Sequence, residues 1–211
     1  MKFNVAVIAI MGLMPFAGWA PAQATIVGFD SGITEGYDGE GFVPNGYAGL
    51  NWNSFVAVNA TPYVAAYGYM NGITYGVVSA PAVAIGVTSS SSFSSSAAFS
   101  LVNLYMTAVW NNGLNVNIDG YLNGNLVDNY VATLDGTAPL LITLDWGDVD
   151  NVVFTPSGGT NAGFGNSGVQ FAIDNVTIGT PFDAPEPLTL SIFSAGFGGI
   201  AFIRRKRKNA A

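Results

Sequence analysis

Every acidic residue of this chain falls between Asp30 and Glu186, and every basic residue falls outside that interval. The thirteen acids have no Lys or Arg among them, and the six bases are Lys2 and the run Arg204-Arg205-Lys206-Arg207-Lys208. Cysteine and histidine are absent throughout. A domain folded from the middle of this chain therefore has no disulfides and must be held by its core. At about 160 residues, one domain can bury enough surface to do so.

The same absences remove whole classes of chemistry. Without His or Cys there is no Ser-His-Asp or Cys-His arrangement, no His-ligated or thiolate zinc and no imidazole acid-base step. No enzymatic activity is expected. An acid-only surface also repels phosphate backbones, which need Lys and Arg to displace counterions, so no nucleic-acid partner is expected. Divalent cations would be welcome, and Ca²⁺ is the only cofactor the composition suggests.

From Thr25 to Gly179 short β-rich runs alternate with Gly and Asn, and no stretch has helical period. Leu114, Val116 and Ile118 alternate with Asn115, Asn117 and Asp119, which predicts a half-buried strand. Asn123-Gly124 supplies the positive φ values of a type I′ turn, and the chain returns through Val127, Tyr130, Val131 and Leu134. Asn112-Gly113 is expected to turn the chain before Leu114, completing a meander. Further strands are expected at residues 25–29, 50–58, 63–70, 73–78, 140–146, 151–155 and 170–178, with Asn71-Gly72 turning between the third and fourth of these. Thr88 to Ser96, nearly all Ser around Phe93, reads as a flexible loop or polar edge strand. The fold class expected is all-β: a single jelly-roll-like β-sandwich over residues 25–179.

The two ends read as address labels. Lys2, the apolar run Val5 to Ala20 and the small-x-small set Ala22-Gln23-Ala24 have the order of a signal peptide over residues 1–24, cut before Thr25 by signal peptidase. At the other end a linker, residues 180–187, carries Pro185-Glu186-Pro187. An apolar segment, Leu188 to Ile203, follows, and residues 204–211 form a basic tail. At 1.5 Å per residue the apolar segment reaches roughly 24 Å, short of the ~30 Å hydrocarbon core but close enough for a thin span. Gly196, Gly198 and Gly199 suit a helix in lipid better than one in water. The bases at 204–208 are expected to stay cytoplasmic as a stop-transfer signal, leaving everything before Leu188 outside.

Pro-Glu-Pro, a short span and a basic end, in that order, resemble the PEP-CTERM sorting tail of Gram-negative bacteria, which also goes under the label of an ice-binding protein C-terminal domain. The resemblance covers about an eighth of the chain. It implies that an exosortase, a membrane-embedded transpeptidase, recognises Pro185, Glu186 and Pro187 and removes the tail. It further implies an inner-membrane-anchored precursor and a product at the cell surface or in extracellular polysaccharide. Ice binding itself would call for repeated Thr-x-Thr faces, which the sequence lacks. Val27-Gly28-Phe29-Asp30, the stretch from Tyr47 to Trp52 and that from Phe171 to Val176 resemble the sandwiches found ahead of such tails.

Within the domain, carboxylates are the candidate site residues. Asp145, Asp148 and Asp150 could offer alternate oxygens to Ca²⁺, or could line a solvated turn between two strands. Asp30 and Asp174, on the first and last strands, could hold a structural cation between them. Gly36-Tyr37-Asp38-Gly39-Glu40-Gly41 has the make-up of a binding loop and equally of any exposed turn. No cue pairs two acids as a glycosidase would need. Trp52 and Trp146, with Trp110, could stack on sugar rings, making the domain a carbohydrate-binding module, or could fill the core between sheets.

Overall fold

The computed structural model describes residues 24–179, and within them the chain is all-β and antiparallel. The strands are β1 (Thr25–Val27), β2 (Glu40–Phe42), β3 (Asn51–Asn53), β4 (Phe55–Asn59), β5 (Ala82–Gly86), β6 (Ser91–Ala108), β7 (Asn111–Leu122), β8 (Asn125–Leu134), β9 (Leu140–Asn161) and β10 (Phe171–Gly179). Two short helices, α1 (Ala60–Tyr67) and α2 (Gly72–Tyr75), sit between β4 and β5. The sheet runs β2-β4-β5-β10-β6-β9-β7-β8, with β1 added to β10 and β3 to β6. Thr25 pairs with Ile178 and Val27 with Val176, so the first and last strands lie side by side.

The sheet folds over on itself around one core. Ala57 on β4 and Leu134 on β8 belong to strands near opposite ends of the order, yet both bury into the cluster that holds Phe93, Leu104, Ile118 and Ile173. The bend comes in the long strands: the β6–β9 ladder slips register between Ser94 and Phe99 and again before Asn103, and Asp145 on β9 takes a φ of 49°. Phe29, Phe55, Phe93, Phe154 and Phe171 are almost fully buried there, each adding about 1.5–3 kcal/mol. No Lys, Arg or His occurs among the described residues, so no salt bridge contributes.

A second, smaller core lies on the outer side of β4 and β5. Both strands are buried on both faces: Ala57, Ala82 and Ala84 point into the main core, while Val56, Val58, Val83 and Ile85 point out against Tyr63, Ile73 and Trp110. The helices exist to cover this outer face.

Several elements differ from the sequence expectation. Residues 63–70 and 73–78, expected as strands, fall largely in α1 and α2. The deciding residues are caps: Asn59 Oδ1 accepts from Thr61 N at 3.2 Å, Gly68 closes α1 in the left-handed region, and Asn71 Oδ1 accepts from Ile73 N at 2.9 Å. Asn71-Gly72 is thus a helix start and not a hairpin turn. Gly72 is required because a Cβ there would run into the Ala108 carbonyl. Asn123-Gly124 does form the expected turn, with φ of 52° and 77°. Asn112-Gly113 lies inside β7. The Ser-rich stretch divides: residues 88–90 form a loop, whereas Ser91 to Ser96 lie in β6 and Ser92 to Ser94 pair with β3 on one side and β9 on the other, so they are no edge. Strands 140–146 and 151–155 are one continuous β9.

Candidate functional site

The signal-peptide residue Ala22, the sorting motif Pro185, Glu186 and Pro187, the apolar segment 188–203 and the bases Arg204, Arg205, Lys206, Arg207 and Lys208 lie outside the described residues. Ala24, the other cleavage-site residue, is exposed, one position before β1.

Asp30 and Asp174 are brought together, as the sequence suggested, because β1 leads into Asp30 alongside β10. They meet on the loop before β5. Asp174 is buried and accepts from Val78 N and Ser79 N, both at 2.8 Å, and from Asn175 N at 2.7 Å. Asp30 accepts from Ala82 N at 3.1 Å. The Ser79 hydroxyl spans the pair, 2.9 Å from Asp30 Oδ2 and 3.2 Å from Asp174 Oδ1. One hydroxyl proton can serve only one carboxylate at a time. Burial raises the Asp174 carboxyl above the ordinary carboxylate range, against the lowering effect of its N–H donors. Oxygens already engaged by the 78–82 loop make this a clamp on that loop, and a cation would have to displace those donors.

Asp145, Asp148 and Asp150 do not converge. They ride on β9 rather than in a turn; Asp145 and Asp148 are exposed, and Asp150 Oδ2 accepts from Asn123 N at 2.7 Å, anchoring the β7–β8 turn. Among the described residues no three carboxylates gather as a metal cluster. Asp119 is engaged as well: Asn129 donates to its Oδ1 at 2.7 Å and Asn117 to its Oδ2 at 2.8 Å.

Trp52 and Trp146 are core residues and offer no stacking face. Trp52 is 6% exposed, edge-on to Phe29 and Phe55 at 5.4 Å, with its indole N–H donating to the Tyr47 carbonyl at 3.0 Å. Trp146 is 7% exposed and packs beside Gly120. An aromatic at an inward position of a two-faced strand is buried by the fold-over, which alternation alone does not reveal.

Phe42, Tyr75 and Tyr130 are exposed singly, and two further exposed aromatics come together where the 36–40 turn meets α1. Tyr37 is 92% exposed and Tyr67 43%. The ring of Tyr67 stands 4.8 Å from that of Tyr63 and 6.3 Å from that of Tyr69, and Tyr69 in turn lies 6.0 Å from Trp110. Tyr63 and Trp110 are buried and form the floor; Asn71 Nδ2 donates to the Tyr63 hydroxyl at 3.0 Å. Tyr67 donates to Asp38 Oδ2 at 3.4 Å. The carboxylate of Glu40 above all, then partial burial, Asp38 and Tyr37, raise the Tyr67 phenol. Burial, then Asp38, raises the Glu40 carboxyl.

The turn that carries Tyr37 is held in place. Gly36 N donates to Glu40 O at 2.8 Å, Gly39 N to Gly36 O at 3.1 Å, and Asn59 N to Gly39 O at 2.9 Å. Gly39 has a φ of 80°, and a Cβ there would stand 2.5 Å from Pro62 Cγ. The sequence showed this acidic turn but not its neighbour. With 63–70 taken as a strand, Tyr63, Tyr67 and Tyr69 fell at alternate positions rather than against Asp38; the missed signal was Asn59, four residues before Tyr63, as a helix cap.

No family model matches this chain, and no curated protein matches it. Among solved structures it is similar to the carbohydrate-binding module TmCBM61 in complex with β-1,4-galactotriose, at 14% identity and a TM-score of 0.31, over 64% of this chain and 93% of that one. At that overlap the likeness decides neither architecture nor ligand.

Proposed function

We propose that this is a non-catalytic exported protein, handed by its C-terminal segment to an exosortase and left at the cell surface or in the extracellular polysaccharide. The observation that carries the reading is the order of three parts at the end of the sequence: Pro185-Glu186-Pro187, the apolar segment 188–203, and the bases 204–208. The leader-like residues 1–24 support it, and so does a middle without a single base, histidine or cysteine. Signal peptidase and the inner membrane are the partners on the way out. In this reading the folded-over sheet is a jelly-roll-like sandwich that serves as cargo.

Mass spectrometry of the protein from its native host tests the proposal. A C-terminus near Pro185 is expected, and a variant with Ala at 185–187 should keep its full tail and stay with the membrane. Recovery of wild-type protein ending in the intact Arg204 to Ala211 segment would overturn the reading.

A second reading, a carbohydrate-binding module, is favoured by the exposed Tyr37 and Tyr67 rings.

A further inference from the structure

We propose that the surface made by Tyr37, Tyr67 and Tyr69 is a stacking site for a neutral hexopyranose chain, with Asp38 and Glu35 accepting hydrogen bonds from its hydroxyls. This rests on the carbohydrate-binding reading and gives it a location and a ligand class.

Four observations lead there. First, Tyr37 holds a whole ring in water at 92% exposure, with Tyr67 at 43%, apart from the connected cluster in which Trp52, Phe93, Phe99, Phe154 and Phe171 are buried. A ring face left open beside a second exposed ring offers the apolar contact that the C–H side of a pyranose needs. Second, the rings are held before any ligand arrives. The 36–40 turn is closed by its own backbone bonds and sewn to Asn59, and Tyr67 and Tyr69 rest on buried Tyr63 and Trp110. Little ordering remains to be done on binding.

Third, the rim acceptors are weakly engaged. Asp38 Oδ2 receives the Tyr67 hydroxyl at 3.4 Å, Asp38 Oδ1 receives Glu40 N at 3.3 Å, and Glu35 Oε2 receives Asn59 Nδ2 at 3.3 Å. These are long beside the ~2.8 Å of a good O–H···O bond and the ~2.9–3.0 Å of a good N–H···O bond, so sugar hydroxyls could replace or share them at little cost. Asp174, by contrast, holds three backbone N–H groups at 2.7–2.8 Å. Fourth, charge selects the class. Glu35, Asp38 and Glu40 surround the rings with no base anywhere in the described domain, so uronates, sulfated sugars and anionic lipid surfaces are repelled.

The test is affinity electrophoresis and calorimetry of the full chain in detergent against neutral galactan, mannan and β-glucan, with polygalacturonate alongside. Binding to at least one neutral polymer and none to polygalacturonate is expected. Tyr37→Ala should weaken it about tenfold, the effect of losing ~1.4 kcal/mol, with an unchanged circular dichroism spectrum because Tyr37 is 92% exposed. Tyr67→Ala should do the same and Tyr67→Phe should keep most of the binding. Equal binding to polygalacturonate overturns the ligand class. Neutral-glycan binding that survives Tyr37→Ala with Tyr67→Ala overturns this site while leaving a carbohydrate-binding module on another face. Failure to bind any polymer overturns both.

Discussion

Asp30 and Asp174, which are far apart in the chain, share the single hydroxyl of Ser79, at 2.9 and 3.2 Å. Between them they also hold the backbone N–H groups of Val78, Ser79 and Ala82, and so tie the chain's first strand, its last strand and the loop entering β5 into one polar knot at the edge of the apolar core.

Asp174→Ala strands three part-buried backbone donors at once. A fully buried unsatisfied donor costs about 1–3 kcal/mol, so with the site partly open to water a loss of roughly 3 kcal/mol is expected by urea denaturation. Asp30→Ala, with two donors, should cost less. In a double-mutant cycle the two should couple through Ser79, and strictly additive losses would contradict the shared hydroxyl.

Asp174 and Glu40 are both raised, Asp174 by burial and Glu40 by burial and then by Asp38. A raised carboxyl binds its proton more tightly in the folded than in the unfolded chain. Its contribution is therefore full below the unfolded value of about 3.9–4.3 and is lost as pH rises through the folded one. Stability should climb as a neutral solution is acidified towards that range, and Asp174→Asn should flatten the climb. Denaturation midpoints that fall between pH 7 and 5 would contradict this.

Gly72 and Gly147 make a matched pair. A Cβ on Gly72 meets the backbone of Ala108 and Val109, the latter at 2.8 Å, whereas a Cβ on Gly147 meets nothing within 4 Å. Gly72→Ala should lose about 3 kcal/mol as β6 is pushed away. Gly147→Ala should change stability by no more than ~1 kcal/mol.

Trp52→Ala should cost about 3–5 kcal/mol, the range for emptying a large aromatic site in a core. Any glycan binding lost in that variant should follow unfolding on a thermal scan. Loss of binding with unchanged melting would return Trp52 to the surface and contradict its packing against Phe29 and Phe55.

The sequence made some of this architecture legible and hid the rest, for identifiable reasons. Alternation at Leu114 to Asp119 and the Asn123-Gly124 turn are local signals, and both elements formed as they dictate. The Asp30–Asp174 meeting was legible because β1 and β10 are neighbours. The α1–α2 segment was not: Tyr63, Val64 and Tyr69 are as much at home in a strand, and only the caps at Asn59, Gly68 and Asn71 carry the helical instruction. Tertiary cover decided the matter, since β4 and β5 present Val58, Val83 and Ile85 outward and need a lid. The bend in β6 and β9 was equally hidden, and with it the burial of Trp146. The tyrosine surface followed from those misplaced helices.

Because Thr25 lies against Ile178 in the β1–β10 ladder, whatever precedes residue 25 and whatever follows Gly179 depart from a common pole of the domain. A mooring attached behind residue 179 would suspend the body by that one end, like a lantern from its hook. Under the proposed reading, an N-terminus freed before Thr25 would lie beside Ile178 at that same end, and the rest of the surface would be free to swing outward.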